Sequence, residues 1–446
     1  MPSAAEQLAR NTNWGALAKA TELKQRILFV LGALLVYRLG TYIPIPGIDP
    51  HNWSDIFSQK GGGILDMFNM FSGGALKRMS IFTLNIMPYI SASIIMQLAT
   101  ALSPSLEAMK KEGEAGRTRI NQYTRYLTVL LAVIQAYGVA VTLESQHGSA
   151  GSVVMDPGIY FRISTVITIV GGTVFLMWLG EQITQRGIGN GQSLIIFSGI
   201  VANLPRAIAS VLELGRQGQY SFLTILMMAV MVVAVMTFIV FMERAQRRVV
   251  VQYPKRQAGN RMFMGEQNFL PLKLNMSGVI PPIFASSLLL LPLSVIAMLG
   301  MKGGNFAAVI QRYLSQGSIT FMVLYSVLII FFAFFYTAVV FNPQENAEQL
   351  RRYGGFIPGV RPGSATADYL DTVLTRITAV GALYLVAICL LPQILIAKYH
   401  MSVYFGGTSL LIVVSVTMDT VAQVHSHLVA HQYEGLIKKS KLRGAR

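Results

Sequence analysis

The residue types able to do chemistry are few in this sequence, and they stand apart from one another. His427 and His431 lie four positions apart, a spacing that puts both imidazoles on one helix face where a metal could bind, with His425 beside them. No cysteine or well-placed carboxylate completes a tetrahedral set, so the three read as the polar end of an interfacial helix. The one cysteine, Cys389, sits in the apolar run Leu385–Leu391 and has no disulfide partner in the chain. Ser193 and Ser409 lie near glycines but have no evident general base. Gly187-Ile188-Gly189-Asn190-Gly191 has the glycine spacing of a dinucleotide loop, yet it follows an apolar helix rather than a strand and reads as a tight turn. No G-x-x-x-x-G-K-[ST] sequence occurs. The expectation is a protein without a catalytic centre, a metal site or a cofactor.

The elements that would position any such groups are membrane spans. The 446 residues are 53% hydrophobic and 13% charged, about half the roughly 25% charge of soluble proteins. Apolar stretches fall at about 24–43, 80–101, 123–143, 158–180, 191–210, 221–242, 275–298, 318–341, 374–396 and 405–428, each able to cross a hydrocarbon core about 30 Å thick. Pro88 and Pro205 interrupt the second and fifth. The fold class expected is therefore an all-α membrane protein of about ten transmembrane helices. Five spans in 24–210 and five in 211–428 give the two halves opposite orientations, as an inverted repeat requires.

Charge sets the topology. With a cytosolic N-terminus, 26 Lys and Arg fall inside and 9 outside, with Arg38 within the first span. That is a strong positive-inside bias. Residues 1–23 lack the apolar core of a signal peptide and read as a cytosolic amphipathic segment, and 429–446 as a basic cytosolic tail. Away from the span ends, the charged side chains are Arg38, near the outer end of the first span, and Asp419, in the inner half of the last. Proton- or sodium-coupled carriers usually place carboxylates or histidines at the midplane. The scarcity argues against the alternative class, a multi-helix secondary solute transporter.

Two cytosolic loops, about 243–274 and 342–373, are long, basic and punctuated by proline and glycine, which points to function. The outer segment 44–79 carries an apolar stretch from Ile64 to Ala75 that is too short to span. Two placements fit it: a re-entrant half-helix buried in protein, or a helix lying on the outer leaflet.

Short motifs then carry a resemblance along nearly the whole chain. They include Ile43-Pro44-Ile45-Pro46-Gly47-Ile48-Asp49, Asn69-Met70-Phe71-Ser72-Gly73-Gly74-Ala75-Leu76 and Asn85-Ile86-Met87-Pro88-Tyr89-Ile90-Ser91-Ala92-Ser93. Lys110-Lys111-Glu112-Gly113-Glu114, Trp178-Leu179-Gly180-Glu181-Gln182, Pro271-Leu272-Lys273-Leu274-Asn275, Phe341-Asn342-Pro343 and Tyr404-Phe405-Gly406-Gly407-Thr408-Ser409 follow in order. In these motifs the chain resembles the SecY family of protein-conducting channels.

The resemblance implies two inverted five-helix halves around an hourglass pore, a plug helix at about 60–76 and a lateral gate toward lipid. It maps the pore ring onto Ile86, Ile90, Ile196, Ile283 and Ile412, with Gln192 where bacterial members commonly carry isoleucine. Read alone, these isoleucines are ordinary bundle core. The amide of Gln192 either wets the constriction or points at a neighbouring helix. The plug maps onto Met67, Phe68, Asn69, Met70, Phe71, Ser72, Gly73 and Gly74. The family's partners are the SecE and SecG subunits, the SecA motor ATPase, the ribosome, signal sequences and nascent chains, and the bilayer itself. Arg244, Arg247, Arg248, Lys255, Arg256 and Arg261 in the first loop and Arg361 in the second are the expected SecA and ribosome contacts. Gln97 and Gln135, polar residues on the second and third spans, are assigned to the lateral gate. Replacing both with leucine is expected to change how apolar a signal sequence must be to enter lipid; unchanged stringency in an insertion assay refutes the assignment.

Overall fold

The computed structural model describes residues 21–60, 69–145, 147–148, 151–218, 221–253, 256–258, 261–263, 267–298, 318–399 and 406–443. In chain order these form α1 (Thr21–Gly40), α2 (Pro50–Lys60), α3 (Met87–Leu102), α4 (Pro104–Lys111), α5 (Glu114–Ser145), the pair β1 (His147–Gly148) and β2 (Gly151–Ser152), α6 (Ile159–Arg186), α7 (Gly191–Arg216) and α8 (Phe222–Arg244). Strands β3 (Gln246–Gln252), β4 (Arg256–Ala258), β5 (Arg261–Phe263) and β6 (Gln267–Lys273) follow. Then come α9 (Ile280–Met298), α10 (Ile319–Val340), α11 (Pro343–Arg352), α12 (Ser364–Tyr399) and α13 (Gly407–Arg443). Each of the ten expected spans has its helix. Seven of the helices are long and apolar enough to cross a membrane, and an eighth span results if α3 and α4, bent by 99°, count as one.

Boundaries moved where local chemistry overrides apolarity. Residues 80–86 are turns rather than helix, because Ser80, Thr83 and Asn85 give the backbone side-chain alternatives. Pro88 then sits in the first turn of α3, where its missing N–H costs nothing. Pro205, by contrast, lies inside α7, which continues to Arg216. Helix α13 runs to Arg443, so most of the stretch expected as a tail is helical.

Contacts group the helices into two sets. In the first, α5 packs on α3 and α6, α6 on α7, and α1 on α6 and α7; in the second, α10 packs on α9 and α12, and α13 on α8 and α12. The sets meet along two seams, one where α9 rests on α3 and α5, the other where α7 meets α8 and α13. On α8 the only buried residue is Ile239, while Phe222, Leu226, Val230, Val233 and Phe241 are exposed. An apolar face of that size is stable in hydrocarbon, not in water.

The two long loops expected on the cytosolic side are folded, which the all-α expectation did not include. Strands β3 and β6 pair antiparallel from Gln246↔Lys273 to Gln252↔Gln267. Gln252 and Phe356 exchange both backbone hydrogen bonds, at 2.8 and 2.9 Å, tying the first loop to the second. Val249, Leu272, Ile357, Leu370, Val373, Leu374 and Ile377 close a small core of their own beneath the ribbon.

The turn joining α6 to α7 shows how closely the bundle is packed. Asn190 Oδ1 caps α7 by accepting from Gln192 N at 3.1 Å and Ser193 N at 3.5 Å, while Gly189 has φ of +90°. A Cβ on Gly191 would collide with the Gly180 carbonyl of α6. Gly191→Val is therefore expected to cost about 3 kcal/mol of stability through overpacking, read as a lower melting temperature of the detergent-solubilised protein.

Candidate functional site

The isoleucines that the resemblance assigns to a pore ring, the expected waist, come from both helix sets. Ile86 stands at the N-terminal boundary of α3 and Ile90 one turn further, Ile196 lies on α7 and Ile412 on α13; all four are buried. They belong to one contiguous core, and half-buried Ile283 of α9 packs against it. The structure thus brings these five positions into one core, drawn from both helix sets. Gln192 is placed differently. Its Cγ lies against Gly180 of α6, 3.1 Å from where a Cβ on that glycine would stand. The stem of Gln192 thus lies against α6.

The segment over the waist is not a regular helix in its described part. Residues 69–71 make one helical turn, and Gly73 and Gly74 then take φ of +66° and +84°. Glycine alone adopts these values without strain. Asn69 closes the turn, its carbonyl accepting from Gly74 N at 2.8 Å and Ser72 Oγ at 3.1 Å and its Oδ1 from Lys77 N at 2.9 Å. Phe71, Ser72, Gly73, Gly74 and Ala75 are buried, and Phe71 and Ala75 share the core that holds the waist isoleucines. This stretch lies inside the bundle, not on its outer surface. Met67 and Phe68 lie outside the described residues.

The segment's seat is a bare patch of helix. A Cβ on Gly199 of α7 would stand 2.5 Å from Phe71 O and 3.1 Å from Gly73 N. Main chain rests on main chain there. On the opposite side, Ser409 Oγ of α13 donates to Met70 Sδ at 3.4 Å. Tyr37 and Arg38 of α1, Arg78, and Asn85 supply further donors to the segment. Of these, sequence reading singled out only Arg38, as a lone charge in a span; the others carry no signal until the chain is folded.

At the seam between the sets, Ser287 Oγ of α9 donates to Met87 Sδ of α3 at 3.8 Å. Gln97 donates from Nε2 to Ser93 Oγ at 3.1 Å, and its buried Oε1 has no partner among the described residues. Gln135 is half-buried on α5. On the loops, Arg244, Arg247, Arg248 and Arg361 are exposed. Arg256 and Arg261 stand in β4 and β5, and Lys255 lies outside the described residues. Asp419 and His427 are exposed on α13. Among the described residues no trio of His, Cys, Asp or Glu is placed to hold a metal ion.

The SecY family model matches residues 80–421. A protein translocase subunit SecY of Escherichia coli (strain K12) is 54% identical over 424 residues, covering 95% of this chain and 96% of that protein. Two solved structures share the fold. One, of SecY, concerns a plug domain that stabilises the closed state of the translocation channel and maintains a membrane seal. It has a TM-score of 0.60 at 18% identity, over 90% of this chain and 92% of its own. The other is Sec61 in a canine ribosome-channel complex, with a TM-score of 0.61 at 17% identity over the same shares.

The contact at Gly199 is open to test. Gly199→Val is expected to lift residues 71–73 off α7, at about 1–3 kcal/mol for the overpacked seat. Cys389 is buried, so a cysteine placed at Ser72 is the only thiol at this site, and its labelling by a polar maleimide should accelerate in the Gly199→Val background.

Proposed function

The chain belongs to the SecY family, and from that premise we propose that it conducts unfolded preproteins across the bacterial inner membrane and releases membrane helices sideways into lipid. It is a multi-pass membrane protein and a channel subunit of a protein translocase, not an enzyme. Both termini lie in the cytosol in this reading, following the excess of Lys and Arg in the segments it places inside.

One observation supports the mechanism best: isoleucines from both helix sets share a core with the segment resting over them. A constriction of Ile86, Ile90, Ile196, Ile283 and Ile412 resists wetting, so ions meet a dewetting barrier while no peptide is threaded. Aliphatic groups have no hydrogen-bond partners to lose, so the ring yields around almost any passing side chain. Gln192, its stem against α6, is left out of the ring in this reading. Met67, Phe68, Asn69, Met70, Phe71, Ser72, Gly73 and Gly74 act as the plug, displaced when a chain enters. The seam of α9 against α3 and α5 is the lateral gate, with Gln97 and Gln135 beside it. Their amides raise the cost of parting the helices to lipid unless the arriving segment is apolar enough to offset it.

Energy comes from outside the subunit, since the sequence has no nucleotide-phosphate loop. The exposed guanidiniums of Arg244, Arg247, Arg248 and Arg361 project from the folded cytosolic loops, where they contact the SecA motor and the phosphates of ribosomal RNA. Lys255, Arg256 and Arg261 extend the same basic surface. SecE and SecG complete the complex.

Vesicles reconstituted with the complete translocase should admit a preprotein only with SecA and ATP and show no saturable uptake of a small solute; uptake of a solute in place of preprotein would overturn the reading. Arg361→Glu should lower SecA-driven export roughly tenfold or more through like-charge repulsion, while the variant itself still inserts and assembles. Normal export would remove Arg361 from the motor contact.

A further inference from the structure

Three consecutive carbonyl oxygens of the plug segment each accept a hydrogen bond from a side chain beyond the local turn. Asn85 Nδ2 donates to Phe71 O at 2.7 Å, and Tyr37 Oη donates to Ser72 O at 3.2 Å. Gly73 O takes two, from Arg38 Nη1 at 2.7 Å and Arg78 Nη2 at 2.9 Å. Tyr37 and Arg38 come from α1, and Asn85 from the turn that opens α3. The donors are themselves fixed. Arg38 Nη2 donates to Tyr42 Oη at 3.2 Å, Arg78 Nε donates to Thr41 O at 3.1 Å, and both guanidiniums lie over the Tyr42 ring, at 5.1 and 4.0 Å. Neither arginine pairs with a carboxylate among the described residues.

We propose that Tyr37, Arg38, Arg78 and Asn85 form a latch that grips the plug by its main chain and sets the threshold for opening. The proposal rests on reading residues 67–74 as the plug. A grip on successive carbonyls is indifferent to the plug's own side chains, apart from one requirement: Gly73 must stay bare, because a Cβ there would stand 3.0 Å from Arg38 Nη1. The same bonds can be exchanged for water once the outer side of the bundle is wet, so the latch is directional but reversible. Apolar packing of Phe71 and Ala75 lacks that property. Hydrogen bonds from charged donors to carbonyls are the stronger kind, which makes Arg38 and Arg78 the main holding points and Tyr37 and Asn85 the aligning ones. All four are positioning residues; they act on the plug, not on the passing chain.

The test uses the reconstituted translocase complex carrying Ser72→Cys, with two readouts: maleimide labelling at that thiol and ion leak through the idle channel. Tyr37→Phe removes one oxygen and leaves the packing. Arg38→Gln removes the charged fork. Each should raise labelling and leak together, by about tenfold or more for Arg38→Gln and less for Tyr37→Phe, in line with the strength of charged and neutral hydrogen bonds. The rate of SecA-driven export of an efficient preprotein should stay near the parent value, since the latch is already released in that state. Gly199→Val serves as the control. If Gly199→Val exposes the thiol while Tyr37→Phe and Arg38→Gln remain as sealed as the parent, the latch is wrong and the plug stands. If none of the three variants exposes it, the plug reading fails and the latch with it. Should Arg38→Gln not assemble, Tyr37→Phe and Arg78→Gln, which removes the second charged donor to Gly73 O, carry the same comparison.

Discussion

A stretch of non-helical main chain inside an apolar bundle must find a partner for every carbonyl and amide it carries. The helices of this protein meet that demand internally. Residues 69–86 cannot, and polar side chains of the first helix set gather around them. Asn69 turns the chain with its own side chain and carbonyl. Tyr37, Arg38, Arg78 and Asn85 face the carbonyls of residues 71–73, and Gly199 gives up its side chain so that the backbones can touch. Two residues outside glycine, Met79 and Asn85, hold positive φ, of 43° and 50°. Asn tolerates that region better than most; for Met it is a sparsely populated conformation kept by its surroundings.

In the proposed channel, the consequence is a barrier built from two unlike kinds of contact. Below the segment, the isoleucines make non-directional contacts that are stiff at χ1 and have nothing to satisfy. Such a layer excludes water while closed and loses no hydrogen bond when a chain passes. Above it, the seated segment is held by bonds with defined donors and acceptors. Dewetting stops ions over a short apolar distance; a directional seat fixes one closed geometry. Either alone would be a poorer seal. A bare ring has nothing that re-forms the same packing after passage, and a polar seat alone would hold water.

The legible and illegible parts of the molecule divide along this line. Ten apolar stretches were visible because lipid demands a run of about twenty apolar residues, whatever the packing. The helix ends were less so. Pro205 looked like a break and is carried within α7, while Ser80, Thr83 and Asn85 unwound a stretch that apolarity assigned to a span. The ribbon of β3 and β6 escaped notice because its pattern is brief: Val249 and Val251 turn inward within a strand led by Arg247 and Arg248, and basic residues drew the reading toward an open loop. The waist was identifiable only through motif resemblance, since isoleucine in a span is ordinarily core. That the stem of Gln192 lies against Gly180 of α6 was not visible in the sequence. The donors to the plug were the least legible. Tyr37, Arg78 and Asn85 acquire their meaning from separations of 5 to 35 residues closed only by folding.

The two seams between the helix sets differ in a way that bears on how the barrel could part. At the rear, Gly189 N donates to Gln423 Oε1 of α13 at 2.7 Å, joining the turn of the first set to the last helix of the second. Leu23, Ile188 and Leu428 bury one another beside that bond. At the front, the contact of α9 with α3 is made by a hydroxyl on a thioether at 3.8 Å, a weak and adaptable pairing. Separating the rear would break a good hydrogen bond and uncover a closed apolar cluster; separating the front uncovers apolar side chains such as Phe284 and Leu289 but loses little that is directional. In the proposed channel, the hydrogen bond and the apolar cluster at the rear are what hold the two helix sets together while the front seam parts.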